Sequence, residues 1–204
     1  MMSIPMPHKS PLGSFPRGVH RFSAKNLLNS RAVALKSPRL GTGSFRVLAF
    51  DPGFERLGVA VVERKNGKEK LLYSDCVRTS AALPFHKRLE ALGTAAEVCI
   101  ATYKPDAVAL EDIYFAKNAK TAMKIAEVRG MLMYIASTHK LALFEYTPAE
   151  VKVAITGYGK SDKEALALMI PRLVRLPERK RLDDELDAIA VGLTCLASIR
   201  KIST

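Results

Sequence analysis

Four carboxylates stand out by their positions. Asp51 closes the apolar run Arg46-Val47-Leu48-Ala49-Phe50 and is followed by Pro52-Gly53. Glu111 closes a second apolar run, Asp106 to Leu110. Asp184 and Asp187 are three residues apart and share one face of a predicted helix. That helix is otherwise apolar, with Leu186, Ile189, Val191, Leu193 and Leu196. Carboxylates brought together repel one another, and burial raises the cost further. Divalent cations relieve it. Mg²⁺ prefers carboxylate and water oxygens and usually shares its shell with a substrate phosphate. Two such ions about 3.5–4 Å apart can activate a water and stabilise the leaving oxygen of a phosphodiester. Each acid alone also has a plainer reading. Asp51 fits a turn residue, Glu111-Asp112 a solvated loop, and Asp183-Asp184-Glu185 a first helical turn favoured by the helix dipole. Their co-occurrence at two strand ends and the head of a buried helix favours a common site, and spacing alone leaves both readings open.

Positioning these acids together is a task for the fold. Arg46 to Asp51 reads as a buried strand and Leu57 to Val62 as a second. Lys65-Asn66-Gly67-Lys68 carries an Asn-Gly turn, and a third strand spans Lys70 to Val77, completing an antiparallel meander. Leu89, Leu92, Ala96, Cys99 and Ile100 recur at helical spacing, which predicts a helix from near Pro84 to Thr102. A short strand, Asp106 to Leu110, follows. Next come a long helix from Ala119 to Ser137, a fifth strand from Leu141 to Tyr146, and a helix start at Thr147-Pro148. Further helices are predicted over Asp162 to Leu173 and Asp184 to Ser198, separated by a charged loop, Pro177 to Arg181. A meander followed by alternating helices and strands implies an open α/β sheet covered on both faces. In such a sheet functional groups gather where strand order reverses, so Asp51 and Glu111 would emerge at one edge if their strands are parallel neighbours.

The chain has 204 residues, 48% of them hydrophobic, which suits one domain with a real core. No apolar run approaches the roughly 18 residues of a membrane helix. Cys76, Cys99 and Cys195 lie far apart with no Cys-x-x-Cys pair, which argues against a disulfide scaffold or a cysteine zinc site and suits a reducing compartment. His8, His20, His86 and His139 form no metal-spaced pair. The net charge is +12, unevenly placed. Residues 1–50 hold eight basic residues and no acid, which leaves 24 basic against 20 acidic residues in 51–204, a net of +4. Residues 1–44, with five prolines, four glycines and seven serines, are expected to be a disordered basic leader, and the folded domain to occupy 45–204. A tail that binds nucleic acid, a misassigned start and an organelle transit peptide all fit that leader. The charge suggests a polyanionic partner.

At these residues a family resemblance appears. Ala49-Phe50-Asp51-Pro52-Gly53 with Leu57-Gly58-Val59-Ala60 resembles the first motif of RuvC-type Holliday junction resolvases, and Ala109-Leu110-Glu111-Asp112-Ile113-Tyr114-Phe115-Ala116-Lys117-Asn118 resembles the second. Glu127-Val128-Arg129-Gly130 is similar to an Ala-Arg-Gly-like stretch. Phe144-Glu145-Tyr146, Val151-Lys152 and Gly157-Tyr158-Gly159-Lys160-Ser161-Asp162-Lys163 are similar to the next block. Asp184-Glu185-Leu186-Asp187-Ala188-Ile189-Ala190 resembles the last. The resemblance implies a ribonuclease H-like, five-stranded mixed sheet flanked by helices on both faces. It implies a homodimer that cuts two opposed strands of a four-way junction through Mg²⁺-activated water, leaving 5′-phosphate ends, with Mn²⁺ able to substitute. Asp51, Glu111, Asp184 and Asp187 are its implied metal ligands and catalytic residues. A cytoplasmic bacterial enzyme working with a branch-migration motor of the RuvA and RuvB type is also implied, and a transit-peptide reading of the leader would instead place it in an organelle.

The same resemblance implies DNA contacts. Tyr114 would stack on an unpaired base, which is worth roughly 1–3 kcal/mol, and Lys117 lies beside it. Lys152 and Lys163 match basic positions near the scissile phosphate, where they would hold it or offset developing charge. Lys160, Arg179, Lys180 and Arg181 are expected to be a solvated charge run, with phosphate contacts as the alternative. Part of a dimer contact is expected on the long helix at Met131, Met133 and Tyr134, with an intramolecular core role as the competing reading. The main rival is a YqgF-like ribonuclease H-fold nuclease acting on RNA, since Phe54-Glu55-Arg56-Leu57-Gly58-Val59-Ala60 also fits its first motif. A catalytically silent junction-binding protein would need a broken metal site, whereas all four acids are present, and an actin-like phosphotransferase would need a second phosphate loop, an adenosine motif and a longer chain.

Overall fold

The structure, a computed structural model, describes residues 43–112 and 119–202. The expected leader, apart from Gly43 and Ser44, lies outside the described residues, as do Tyr114 and Lys117. Five strands form one sheet: β1 (Phe45–Asp51), β2 (Arg56–Lys65), β3 (Lys68–Arg78), β4 (Ala107–Glu111) and β5 (Ala142–Tyr146). Five helices accompany them: α1 (Phe85–Tyr103), α2 (Ala119–Thr138), α3 (Pro148–Thr156), α4 (Lys163–Leu173) and α5 (Asp183–Ile202). The strand order is β3-β2-β1-β4-β5. β1, β2 and β3 pair antiparallel, and β4 and β5 add parallel beyond β1. Order reverses between β1 and β4, as the sequence pattern requires. The β2–β3 hairpin turns at Asn66 and Gly67, both with positive φ. Among the described residues no helix is long and apolar enough to cross a membrane.

Strand periodicity divides the core in two. Val47 and Ala49 of β1, Ala60 and Val62 of β2, and Ala107 and Ala109 of β4 face the side covered by α3, α4 and α5. Leu48 and Phe50, Val59 and Val61, and Val108 and Leu110 face α1 and α2. Small residues on the first face let α5 lie close against β1 and β2. A Cβ added at Gly192 of α5 would stand 2.8 Å from Val62 and 3.2 Å from Ala49. The same alternation fixes where the acids point. Asp51 continues the Val47, Ala49 series and Glu111 continues the Ala107, Ala109 series, so both emerge towards α5. Phe50 pairs with Leu110 in the parallel β1–β4 ladder, which places Asp51 and Glu111 one step further along at the same sheet edge.

Gly58 completes this arrangement. It is the partner of Asp51 on β1 and of Cys76 on β3. A Cβ there would stand 1.9 Å from the Asp184 carbonyl oxygen and 3.2 Å from the Asp51 Cβ. Both contacts are to atoms that cannot swing aside, so the head of α5 reaches β1 only across a glycine. Gly58→Ala is therefore expected to lower the unfolding free energy by about 1–3 kcal/mol, as overpacking does, measured by denaturant titration. An unchanged midpoint would show that α5 does not depend on this approach.

Candidate active site

Asp51, Glu111 and Asp187 line one cavity of about 300 Å³ with Lys152 and Lys163. Pro148, Val151, Asp162 and Leu166 complete its wall. α3 brings Lys152 because Thr147 caps it with a capping box: its hydroxyl accepts from the Glu150 amide, and the Glu150 carboxylate accepts from the Thr147 amide at 2.7 Å. α4 brings Lys163 at its first position, where the Asp162 side chain accepts from the Ala165 amide at 2.8 Å. Lys163 Nζ donates to Asp187 Oδ2 at 3.0 Å, and this bond raises the lysine above its ordinary pKa.

The acids perturb one another. Burial, followed by the charges of Glu111, Asp187 and Asp184, pushes the Asp51 pKa up to about 8. Asp51 holds the proton it shares with Glu111, a hydrogen bond that favours the Glu111 carboxylate. Burial and Asp187 nevertheless raise Glu111 above the usual range. Burial raises Asp187 as well, against the opposing pull of Lys163. Asp184 stands slightly apart. Its Oδ2 lies 3.4 Å from Arg56 Nη1 and 3.9 Å from Cys76 Sγ. All four acids thus share one electrostatic environment, and two of them are turned to cations. Among the described residues no group of three or more histidines, cysteines or acids is placed so that it could hold a metal ion as the side chains stand. The donors are all carboxylate oxygens, and a hard divalent cation suits that chemistry and would replace the proton on Asp51.

Several residues depart from the sequence reading. Arg181 is not solvated but nearly buried, and Arg179, though 43% exposed, pairs like it with buried Glu185. Met131 and Met133 pack into the α1–α2 core, whereas Tyr134 is exposed. For Asp112, which the sequence leaves as either a supporting acid beside the site or a solvated one, the structure shows a partner: Arg129 of α2 lies 3.2 Å from it and also bonds Glu145 of β5. The Asp112 amide donates to the Tyr146 carbonyl at 2.8 Å, so the residue after Glu111 is tied to the neighbouring strand. Arg56, Arg88 and Glu185 were missed as site-shaping groups. Arg88 of α1, nearly buried, donates to the Phe54 carbonyl at 2.9 Å and Thr79 Oγ1 at 3.0 Å, holding the loop that follows Asp51. Only a buried arginine at a helical core position could have signalled it.

A mixed sheet in the order β3-β2-β1-β4-β5, carrying acids on its two central strands and on a helix laid across them, defines the ribonuclease H-like class. The profile of the crossover junction endodeoxyribonuclease RuvC family matches residues 47–195. A RuvC of Caldicellulosiruptor saccharolyticus is 40% identical over 154 residues, covering 75% of this chain and 93% of that protein. The chain belongs to the RuvC family of crossover junction endodeoxyribonucleases. Thermus thermophilus RuvC in complex with a Holliday junction substrate superposes with a TM-score of 0.73 at 30% identity, covering 78% of this chain and 97% of that one. The yeast mitochondrial Holliday junction resolvase Ydc2 shares the fold alone, at 12% identity and a TM-score of 0.59 over 82% of this chain and 86% of that one. The RNA-directed rival reading loses its support with this assignment.

The raised pKa values carry a sign. A carboxyl that binds its proton more tightly folded than unfolded stabilises the fold at low pH, and that stability is lost as pH rises through the folded value. Asp51, Glu111 and Asp187 all act in this sense. With chelator present, the protein should melt at a lower temperature near pH 8 than near pH 5, with Asp51 titrating at about 8. Asp51→Asn should flatten that slope and raise the melting temperature near pH 8. A variant that tracks the wild type across the range would contradict the shared-proton arrangement.

Proposed function

We propose that this chain resolves four-way DNA junctions by paired, symmetric hydrolytic cuts in homologous recombination and repair, with Asp51, Glu111, Asp184 and Asp187 holding two Mg²⁺ ions, or Mn²⁺ in their place. Family membership supports the reaction class, and the observation that carries the site is the convergence of Asp51, Glu111 and Asp187 on one cavity with Lys152 and Lys163. When bound, the ions would supply Lewis acidity and offset the charge that builds on a phosphodiester under attack by water.

The residues divide the remaining work. Lys152 and Lys163 line the same cavity as Asp51, Glu111 and Asp187. There they hold the scissile phosphate and offset its developing charge. Lys163 pairs with Asp187 and is 71% exposed, so its ammonium can leave the Asp187 carboxylate to a metal ion and reach a phosphate oxygen. Arg56 stands in the same relation to Asp184, at 53% exposure. Tyr114 and Lys117, which follow Glu111 in the chain, are assigned to DNA at the crossover, the tyrosine by stacking on an unpaired base.

A junction has approximate two-fold symmetry, so two copies of the chain with equivalent sites would place one site at each of two opposed strands. Exposed Tyr134 and Met123 on α2 give that contact an apolar element. A branch-migration motor as partner, a cytoplasmic location and a leader that acts as a basic tail belong to the same proposal.

Incubation with a mobile four-way junction and Mg²⁺, with duplex DNA as control, tests it. Cuts should map to paired symmetric positions with 5′-phosphate ends, and duplex should survive. Asp51→Asn should abolish cutting while junction binding persists. Lys163→Ala should slow cutting about 10²-fold at saturating metal, the scale for removing one group that stabilises developing charge. Unpaired cuts, or equal cutting of duplex, would refute junction resolution.

A further inference from the structure

Glu185 is the most deeply placed acid at the head of α5, with 2% of its surface exposed. Arg179 Nη1 donates to its Oε2 at 3.0 Å, and Arg179 Nη2 donates to its Oε1. Arg181 Nε lies 3.3 Å from the same Oε1. Arg179 Nη2 also donates to the Ser74 carbonyl of β3 at 2.7 Å, and Arg181 Nη1 to the Pro177 carbonyl at 2.9 Å. One buried carboxylate thus ties β3, the 177–181 loop and the first turn of α5 together.

That turn needs an external hold. Leu182, which precedes α5, has no side-chain oxygen to cap the exposed amides, and helix ends without caps fray. It also carries Asp183, Asp184 and Glu185 in succession, with Asp187 two residues on. Their cationic neighbours are of two kinds. Arg56 and Lys163, which face Asp184 and Asp187, are 53% and 71% exposed and can change partners. Arg181 is 7% exposed and Glu185 fully buried, and a pair at that depth does not exchange because either charge left alone would be stranded away from water. Arg179, 43% exposed, is held instead by its bonds to both Glu185 oxygens and to the Ser74 carbonyl.

We infer that Arg179, Glu185 and Arg181 form a positioning clamp, a fixed ionic group that sets the rotation of the first turn of α5 and keeps Asp184 and Asp187 available to cations. This rests on the proposed reading of those two aspartates as metal ligands. The clamp acts in two ways. It pins the residue between the two aspartates, so neither can turn away without breaking a buried pair. It also occupies two arginines that would otherwise compete with a metal for the aspartates.

The test uses the full chain in two variants, Glu185→Gln and the triple variant Glu185→Leu, Arg179→Met, Arg181→Met. Replacing a whole buried ionic group by apolar residues is often neutral or stabilising, so the triple variant separates loss of the clamp from loss of the fold. Mn²⁺ binding is followed by the electron paramagnetic resonance of the free ion, without DNA. Melting in chelator, junction binding without metal, and junction cutting across a Mg²⁺ series are measured beside it. Mn²⁺ affinity should fall about tenfold or more in both variants, the usual scale for residues that orient metal ligands. The Mg²⁺ needed for half-maximal cutting should rise in parallel. Cutting at saturating Mg²⁺ and junction binding should stay near wild type, and the triple variant should melt no lower than wild type. Wild-type Mn²⁺ affinity in the triple variant overturns the clamp, and so does a defect that follows melting temperature and persists at saturating metal. Should the wild-type chain bind Mn²⁺ yet leave junctions uncut, the functional reading fails while the clamp is judged on Mn²⁺ affinity alone.

Discussion

The whole arrangement depends on one close approach, that of the head of α5 to the antiparallel edge of β1. A helix normally packs on a sheet through side chains, which keeps its backbone well away from the strands. Here Gly58 lets the Asp184 carbonyl settle against β2 directly opposite Asp51, and Gly192 lets the middle of the helix settle between Val62 and Ala49. Alanines at 49, 60, 107 and 109, with Val47 and Val62, form the rest of that surface. The opposite face carries Leu, Phe and Val at the matching positions and packs α1 and α2 in the ordinary way. The asymmetry between the two faces brings two aspartates on a helix within the electrostatic reach of a strand-end carboxyl.

Proximity then creates a charge problem, and the structure resolves it by depth. Asp51, desolvated and facing three other acids, keeps a proton. Asp187 and Asp184 lie nearer the surface and lean on exposed cations. Glu185 is buried and pairs with Arg179 and Arg181 beside it. A neutral acid, two exchangeable pairs and one fixed cluster are three different answers to the same repulsion, and each suits a different burial. Only the first two leave room for a change of partner. Desolvation of a lone buried carboxylate exceeds what a single hydrogen bond returns, so the fixed cluster could not be reduced to Glu185 alone.

Much of this could be read in the sequence, and the reason is periodicity. The β1 and β4 runs alternate cleanly enough that the residue ending each must fall on a known face, and parallel pairing carries both ends to one edge. The i,i+3 spacing of Asp184 and Asp187 gave their common face. The Asn66-Gly67 turn and the Thr147-Pro148 helix start are local chemistry and were placed correctly. What escaped were pairings at long range. Nothing around Arg179 distinguishes an arginine bound for Ser74, a hundred residues earlier in the chain, from one in solvent. Met131 and Met133 look like surface residues of a dimer or like core residues, and only the position of α1 decides for the core. Arg88 reads as a charged interruption in an apolar face until the Phe54 carbonyl and Thr79 are seen beside it.

The exit from β4 extends the same logic to the DNA side of the site. Glu111 must hold its place in the acidic cluster while the chain immediately after it moves on to residues assigned to the crossover. The connection is fixed at Asp112, whose amide continues the ladder onto Tyr146 and whose carboxylate meets Arg129. Arg129 also holds Glu145 on the neighbouring strand, so the anchor joins β4, β5 and α2 at one point. Forces on the residues beyond Asp112 are thereby passed to the helix and the sheet before they reach Glu111. Arg129 therefore stands to β4 as Arg179 stands to α5: in both, a guanidinium joins an acid beside the site to a strand outside it.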